Sequence, residues 1–265
     1  MNWIEALILG LVQGLTEFLP VSSSGHLQIG FRLLEMLGKE IPEENLTFIT
    51  MVHFATVLST ITVFFAEIKN LSRGLFAFRW NEETRYVSKI LLSMIPVLII
   101  GFLFEERVEN LFAGDIMIVG IALLITASLL ISTQLVKAGT KKISFSDSFI
   151  MGIAQAVAVI PGISRSGATI STGLLLKNGR KDVARFSFLM VLLPIIGKAL
   201  LDIMDILANG SESLSLLALI SGFTAAYISG FLACKWMLRL VQKGNLYWFA
   251  LYCGLLGIST ILFLH

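Results

Sequence analysis

Two short polar segments hold most of the side chains in this chain that could do chemistry. The first runs Gln13-x-x-x-Glu17 and then Ser22-Ser23-Ser24-Gly25-His26; the second reads Ser164-Arg165-Ser166-Gly167, with Thr169 close behind. Gln13 and Glu17 are four residues apart and so share one face of a helix. Carboxylate, hydroxyls, imidazole and guanidinium converging on one pocket make a phosphoryl-transfer constellation. An arginine near a bilayer centre costs about 2.5–3.5 kcal/mol even on the lenient insertion scale, so Arg165 requires a partner. Its planar fork suits a phosphate, and it cannot lose its proton to escape the cost. A helix that begins at mid-membrane also directs unpaired N–H groups and a positive dipole end at whatever lies ahead. Serines at cap positions add donors, and glycine lets the chain approach a ligand closely. Two such N-termini facing one another form an anion site, for which phosphate is the usual occupant. Glu17 together with phosphate oxygens resembles a magnesium environment.

Plainer roles compete for the same residues. A serine–glycine break can serve only as a kink, Glu17 and Arg165 can form a structural bridge, and His26 can cap a helix. His53 reads as structural or at most site-lining. The spacing of the two segments favours the site. An offset of 142 residues links Ser22 to Ser164, and the same offset links Gly10 to Gly152, Gln13 to Gln155, Ser24 to Ser166 and Gly25 to Gly167. Each copy passes through a proline, Pro20 or Pro161, into its hydroxyl-rich turn. Two related breaks in two hydrophobic segments point to a binding site inside a membrane protein.

The elements that must position these residues follow from composition. The chain is 56% hydrophobic and 14% charged over 265 residues, with a mean hydropathy of +0.85. A soluble domain of this length cannot hide so much apolar surface. The net charge of +2 implies no polyanionic partner and no nucleic acid. Cys234 and Cys253 have no metal or redox spacing and are expected to pack. The first apolar run contains Glu5 and Glu17 and lacks a basic leader, so it reads as mature structure. Six segments read as crossings, at 43–66, 86–105, 114–137, 182–208, 214–241 and 245–264. Two interrupted segments, 2–38 and 144–178, read as re-entrant helical hairpins, tolerated at that depth where protein or a polar cavity satisfies the backbone. The predicted fold is therefore an all-α polytopic membrane protein of about ten helices, one membrane domain over 1–265.

Basic residues cluster in the 66–86, 137–147 and 177–185 connections and around Lys243, whereas the 38–45 and 105–115 connections are acid-rich. The positive-inside rule then puts both termini outside the cytoplasm. Each half, 1–140 and 141–265, is a hairpin plus three crossings, an odd number of which turns the second half upside down. The result is an inverted-topology repeat with both hairpin tips near the midplane. In the fifth crossing Ala218, Gly222, Ala226 and Gly230 recur every fourth residue, a stripe that lets helix backbones approach.

The motifs Gln13-x-x-x-Glu17, Ser22-Ser23-Ser24-Gly25-His26 and Pro161-Gly162-Ile163-Ser164-Arg165-Ser166-Gly167-Ala168-Thr169 resemble the signatures of the undecaprenyl-pyrophosphate phosphatase family, the integral-membrane phosphatases linked to bacitracin resistance. The resemblance covers the whole chain in length, span pattern and motif order. It implies hydrolysis of the C55 isoprenoid pyrophosphate to its monophosphate, recycling the carrier lipid of peptidoglycan synthesis in the bacterial inner membrane. It also implies dependence on Mg2+ or Ca2+. The family's first motif accepts glutamate or glutamine at its first position; Gln13 here cannot be a carboxylate base, which leaves Glu17 as the carboxylate of that motif and the expected metal ligand.

On this reading Glu17, Ser23, His26 and Arg165 are the catalytic residues. Ser23 is the preferred nucleophile and His26 the rival. Gln13, Ser22, Ser24, Gly25, Ser164, Ser166, Gly167 and Thr169 would bind the substrate. The alternative is a secondary transporter or flippase for phosphate or a polyprenyl phosphate, since inverted repeats with paired broken helices describe carriers equally well. Few ionisable side chains lie in the spans beyond the two segments, apart from Lys198 and Asp202, which argues against an ion-coupled carrier. A homodimer is an allowed assembly.

Overall fold

The computed structural model describes residues 1–36, 38, 46–112, 116–137, 139–209 and 215–264. Their regular structure is helical: α1 (Trp3–Phe18), α2 (Ser23–Met36), α3 (Leu46–Val63), α4 (Phe65–Leu75), α5 (Glu82–Phe112), α6 (Ile116–Ser132), α7 (Phe145–Val157), α8 (Arg165–Leu175), α9 (Arg180–Asn209), α10 (Leu216–Lys243) and α11 (Tyr247–Phe263). Among the described residues there is no strand, only isolated bridges joining Gly139 to Gly179 and Lys141 to Asn178. Among the described residues, four helical stretches are long and apolar enough to cross a bilayer: Glu82–Gly101, Ile116–Leu135, Arg180–Leu201 and Leu216–Lys243. Large apolar side chains such as Ile8, Leu98, Leu232 and Leu255 stand exposed on the outside of the bundle, as lipid-facing residues do. The protein is a multi-pass membrane protein.

The six predicted crossings coincide with α3, α5, α6, α9, α10 and α11, although only four of these meet the length and apolarity test. α11 is apolar but has 17 residues. The predicted 43–66 span ends early, because the chain turns through 76° between α3 and α4. The turn has a cause in the sequence. Glu67, Lys69, Asn70 and Arg73 make α4 amphipathic, and only Leu71 on it is fully buried. The predicted 38–45 connection falls largely on 39–45, outside the described residues, whereas most of the predicted 105–115 connection is the end of α5, whose side chains there, like that of Asp202, lie outside the described residues.

The helix pairs α1–α2 and α7–α8 start in the same way. The Asn2 side chain accepts from the backbone of Ile4 and Glu5, while Glu5 reaches back to the Asn2 N–H. Ser144 and Asp147 form the same reciprocal box at the start of α7. Such a cap contributes about 1 kcal/mol. The two boxes are themselves 142 residues apart, which extends the repeat to its helix caps. Each pair then leaves its own half to pack. α1 lies against α10, and a Cβ on Gly10 would overlap the Gly222 carbonyl; α7 lies against α5, and a Cβ on Gly152 would overlap the Ser93 carbonyl. The small-residue stripe on α10 is this contact. Ala218, Gly222, Ala226 and Gly230 are all buried there, and the Ser221 hydroxyl donates to the Trp3 carbonyl across it at 3.0 Å. Cys234 and Cys253 are buried and unbridged, as packing residues should be.

Candidate active site

Each tip is made by a helix that cannot continue. α1 ends at Phe18 because Leu19, ahead of Pro20, is held extended at φ −71°, ψ 145°. Ser22 then adopts a left-handed φ of 70°, and α2 starts at Ser23. α7 ends at Val157, the chain turns at Gly162 with φ 92°, and α8 starts after its cap, Ser164. Only glycine fits at 162. A Cβ there would lie 2.7 Å from the Ala122 Cβ and 2.8 Å from the Val119 carbonyl of α6. Beyond each turn the hydroxyls repeat their bonding. Ser22 Oγ accepts the Gly25 N–H at 3.3 Å and sits 3.3 Å from Ser24 Oγ; Ser164 Oγ accepts the Gly167 N–H at 3.0 Å and sits 3.2 Å from Ser166 Oγ.

The two tips meet. Arg165 Nη2 donates to Glu17 Oε1 at 3.1 Å. The other carboxylate oxygen, Oε2, accepts from Ser23 Oγ at 2.6 Å and from Gln13 Nε2 at 3.0 Å. Ser166 Oγ donates to the Leu19 carbonyl at 3.1 Å, and the Gly162 N–H points at Ser24 Oγ at 3.5 Å. Gly25 packs so closely on Gly162 that an added Cβ would lie 3.2 Å from its Cα across the tips, and Gly167 lies beside Pro20. Between the tips lies a cleft of about 250 Å3, its mouth included, lined by Thr16, Glu17, Ser22, Ser23, Ser24, Ala158, Ile163, Ser164 and Arg165. Glu17 is nearly inaccessible there, its side chain 7% exposed, whereas Arg165 retains 29%. Arg165 stands in the first turn of α8, so its charge and that helix's N-terminal dipole act on the same volume.

The predicted residues therefore divide into two groups. Glu17, Ser22, Ser23, Ser24, Ser164 and Arg165 line the cleft. The Ser166 and Thr169 hydroxyls are spent on backbone carbonyls, Thr169 on that of Arg165. Gly25 and Gly167 are spacers, and Gln13 stands behind Glu17, fully buried. His26 turns away from the cleft. Its Nδ1 bonds the Ser22 carbonyl at 2.7 Å and its Nε2 bonds the Tyr252 hydroxyl at 2.7 Å. His53, on α3, lies within electrostatic range of Glu17, with its ring bonded to the Ile49 carbonyl.

Two further residues do not stand out in the sequence. Thr126 of α6 accepts the Ser164 N–H at 3.0 Å and donates to the Gly162 carbonyl at 3.2 Å, clamping the second tip. Tyr252 of α11 is the other. Thr126 is one of four hydroxyls in the uncharged run Ile116 to Val136, and nothing in the sequence sets it apart from Ser128, Ser132 and Thr133.

Among the described residues no three His, Cys, Asp or Glu side chains converge as a metal cage. The donors at the tip nevertheless fit a hard cation that keeps water and takes most of its ligands from phosphate. Beside the Glu17 carboxylate, the buried Gln13 Oε1 has no hydrogen-bond partner.

A buried acid, a short hydroxyl bond to it and a guanidinium meet between two helix N-termini of a multi-pass bundle. Residues 6–259 match the family described as Bacitracin resistance protein BacA, and the chain belongs to that family. Among its relatives are undecaprenyl-diphosphatases of Bacteroides fragilis, 53% identical, and Parabacteroides distasonis, 52% identical, each matched over 98% of both chains. The undecaprenyl-diphosphatase of Christiangramia forsetii is 49% identical over 100% of this chain and 99% of its own.

Proposed function

We infer that this chain is an undecaprenyl-diphosphatase, hydrolysing undecaprenyl pyrophosphate to undecaprenyl phosphate and inorganic phosphate, as its relatives are named to do. The observation that carries the mechanism is the Glu17 carboxylate bonded on one side to Arg165 and on the other to the Ser23 hydroxyl. Substrate pyrophosphate displaces the carboxylate from Arg165 and takes the guanidinium, the Ser164 and Ser24 hydroxyls and the helix N-termini as its oxyanion partners. Ser23 Oγ attacks the terminal phosphorus while its proton passes to Glu17 Oε2, 2.6 Å away. The bond from that phosphorus to the bridging oxygen breaks, and undecaprenyl phosphate leaves. Water then cleaves the phosphoserine, returning the proton to Ser23 and releasing phosphate. Glu17 is the acid–base partner of this second step too, while His26, bonded to the Ser22 carbonyl, holds the turn beside it. A Mg2+ or Ca2+ ion, held by Glu17 and Gln13 Oε1, would neutralise charge on the pyrophosphate.

The finer architecture is part of the same reading. Six crossings and two re-entrant hairpins form an inverted repeat, supported by caps and tip hydrogen bonds that recur at 142 residues and by the crossed packing of α1 on α10 and α7 on α5. The basic connections put both termini outside the cytoplasm of an inner membrane. The prenyl tail leaves sideways between helices into lipid, and a homodimer is compatible with the exposed apolar faces. The relatives carry a hydrolase's name and not a carrier's, which favours the enzyme over the transport alternative. Purified protein in detergent, given C55 pyrophosphate and Mg2+, should release phosphate. No release from the unsubstituted protein sinks the reading.

A further inference from the structure

The left-handed Ser22 at the mouth of the cleft has to be held there. A non-glycine residue in that conformation costs about 1–2 kcal/mol and persists only where its surroundings over-determine it. The Ser22 carbonyl accepts two hydrogen bonds from His26, one from its backbone N–H at 3.2 Å and one from its ring Nδ1 at 2.7 Å. A carbonyl oxygen can only accept, so Nδ1 carries a proton, and in the neutral imidazole Nε2 then presents a lone pair. Tyr252 meets that lone pair with its hydroxyl at 2.7 Å, and its ring stacks on the imidazole at 5.6 Å and 11°.

Tyr252 comes from α11, 226 residues along the chain from His26. Its neighbour Cys253 donates a weak bond to the Pro20 carbonyl at 3.7 Å, so α11 grips the first tip on both sides of Ser22. α11 is itself seated on α6, where a Cβ on Gly257 would lie 2.7 Å from the Gly120 carbonyl. No step of the hydrolase mechanism uses the phenol.

We propose that Tyr252 is a positioning residue for this reaction: acting through His26, it holds the Ser22 turn that presents the Ser23 hydroxyl to the cleft. The proposal rests on the hydrolase reading, and its test separates the two. Tyr252→Phe keeps the ring stack and deletes the donor. It should lower kcat about fivefold, the worth of one hydrogen bond, and leave KM unchanged because the phenol touches no substrate. In protein labelled with 15N-histidine, the Nε2 resonance of His26 should move while Nδ1 stays protonated and the His53 signals stay in place. Tyr252→Ala, which also removes the stack, should lower kcat further with the same movement at Nε2.

An unmoved His26 resonance in Tyr252→Phe overturns the proposal. So does a moved resonance with unchanged kcat, or a raised KM with kcat intact. Absence of phosphate release from the unsubstituted protein sinks the hydrolase reading instead, and the His26 resonance still decides whether Tyr252 sets that ring's state.

Discussion

A single methyl group at Gly10 should disable a site seven residues away. A Cβ at this position overlaps the carbonyl oxygen of Gly222 and lies 2.9 Å from both its carbonyl carbon and its Cα. All three are backbone atoms of another helix, so no rotamer can relieve the contact, and α1 and α10 must part by about half an ångström or more. Overpacking of this kind costs about 1–3 kcal/mol, which a bundle of this size survives. Glu17 lies seven residues on, two turns along the same face of α1, so a rigid helix carries the displacement to the carboxylate. Misplacing a catalytic group by about 1 Å costs about 100-fold. Gly10→Ala should therefore fold, with a kcat for phosphate release in detergent about 10- to 100-fold down. The matched control is Gly197→Ala in α9, where an added Cβ meets nothing within 4 Å. It should keep full activity and gain up to about 1 kcal/mol of helix stability, read as a raised Tm. Wild-type activity in Gly10→Ala, or equal damage in both variants, would refute the lever argument.

Glu17→Gln preserves shape but removes both the partner of Arg165 and the acceptor of the Ser23 proton; kcat should fall by about 100-fold or more, and equal activity sinks the assignment. Radiolabelled phosphate trapped on the chain during turnover should disappear in Ser23→Ala and persist in His26→Ala, and the reverse pattern makes His26 the nucleophile. Chelation by EDTA should stop phosphate release and added Mg2+ restore it, whereas turnover that survives chelation removes the cation from the reading. At the mouth of the second hairpin, burial pushes the Asp147 carboxyl up, but hydrogen bonds from Lys141 and Ser144 and the Lys141 charge outweigh it and hold the group below its ordinary value. Its stabilisation is thus present above the ordinary carboxylate range and lost as pH falls through the lowered value. Asp147→Asn should cost about 1 kcal/mol at neutral pH and nothing in acid, which thermal unfolding across pH would reveal.

The site was legible because its residues are expensive in a membrane. Arg165 and Glu17 stand out against apolar neighbours, and the repeat brings their segments together without any knowledge of the packing. Two contacts at the tips come from helices with no motif of their own. His26 follows the serines by spacing, yet its ring is claimed by Tyr252 on α11. Thr126 sits in a run that hydropathy marks only as a span, and its role exists only once Gly162 and Ser164 dock on α6. The Ser166 and Thr169 hydroxyls, expected to bind substrate from their place at a helix start, bond the Leu19 and Arg165 carbonyls. The bend after Val63 was hidden because hydropathy averages across it, although the change from apolar to amphipathic pattern at Phe65 marks it.

The ion pair between Glu17 and Arg165 also says something about how the protein is made. The two residues are 148 positions apart, one from each half. At about 5–20 residues per second, the ribosome needs on the order of ten seconds after making Glu17 before its counter-charge exists. For that interval a buried first hairpin would carry Glu17 without its counter-charge, a state that burial favours only with the carboxyl protonated. Docking of the two tips gives each charge its partner, so the contact between the halves and the neutralisation of Glu17 form together.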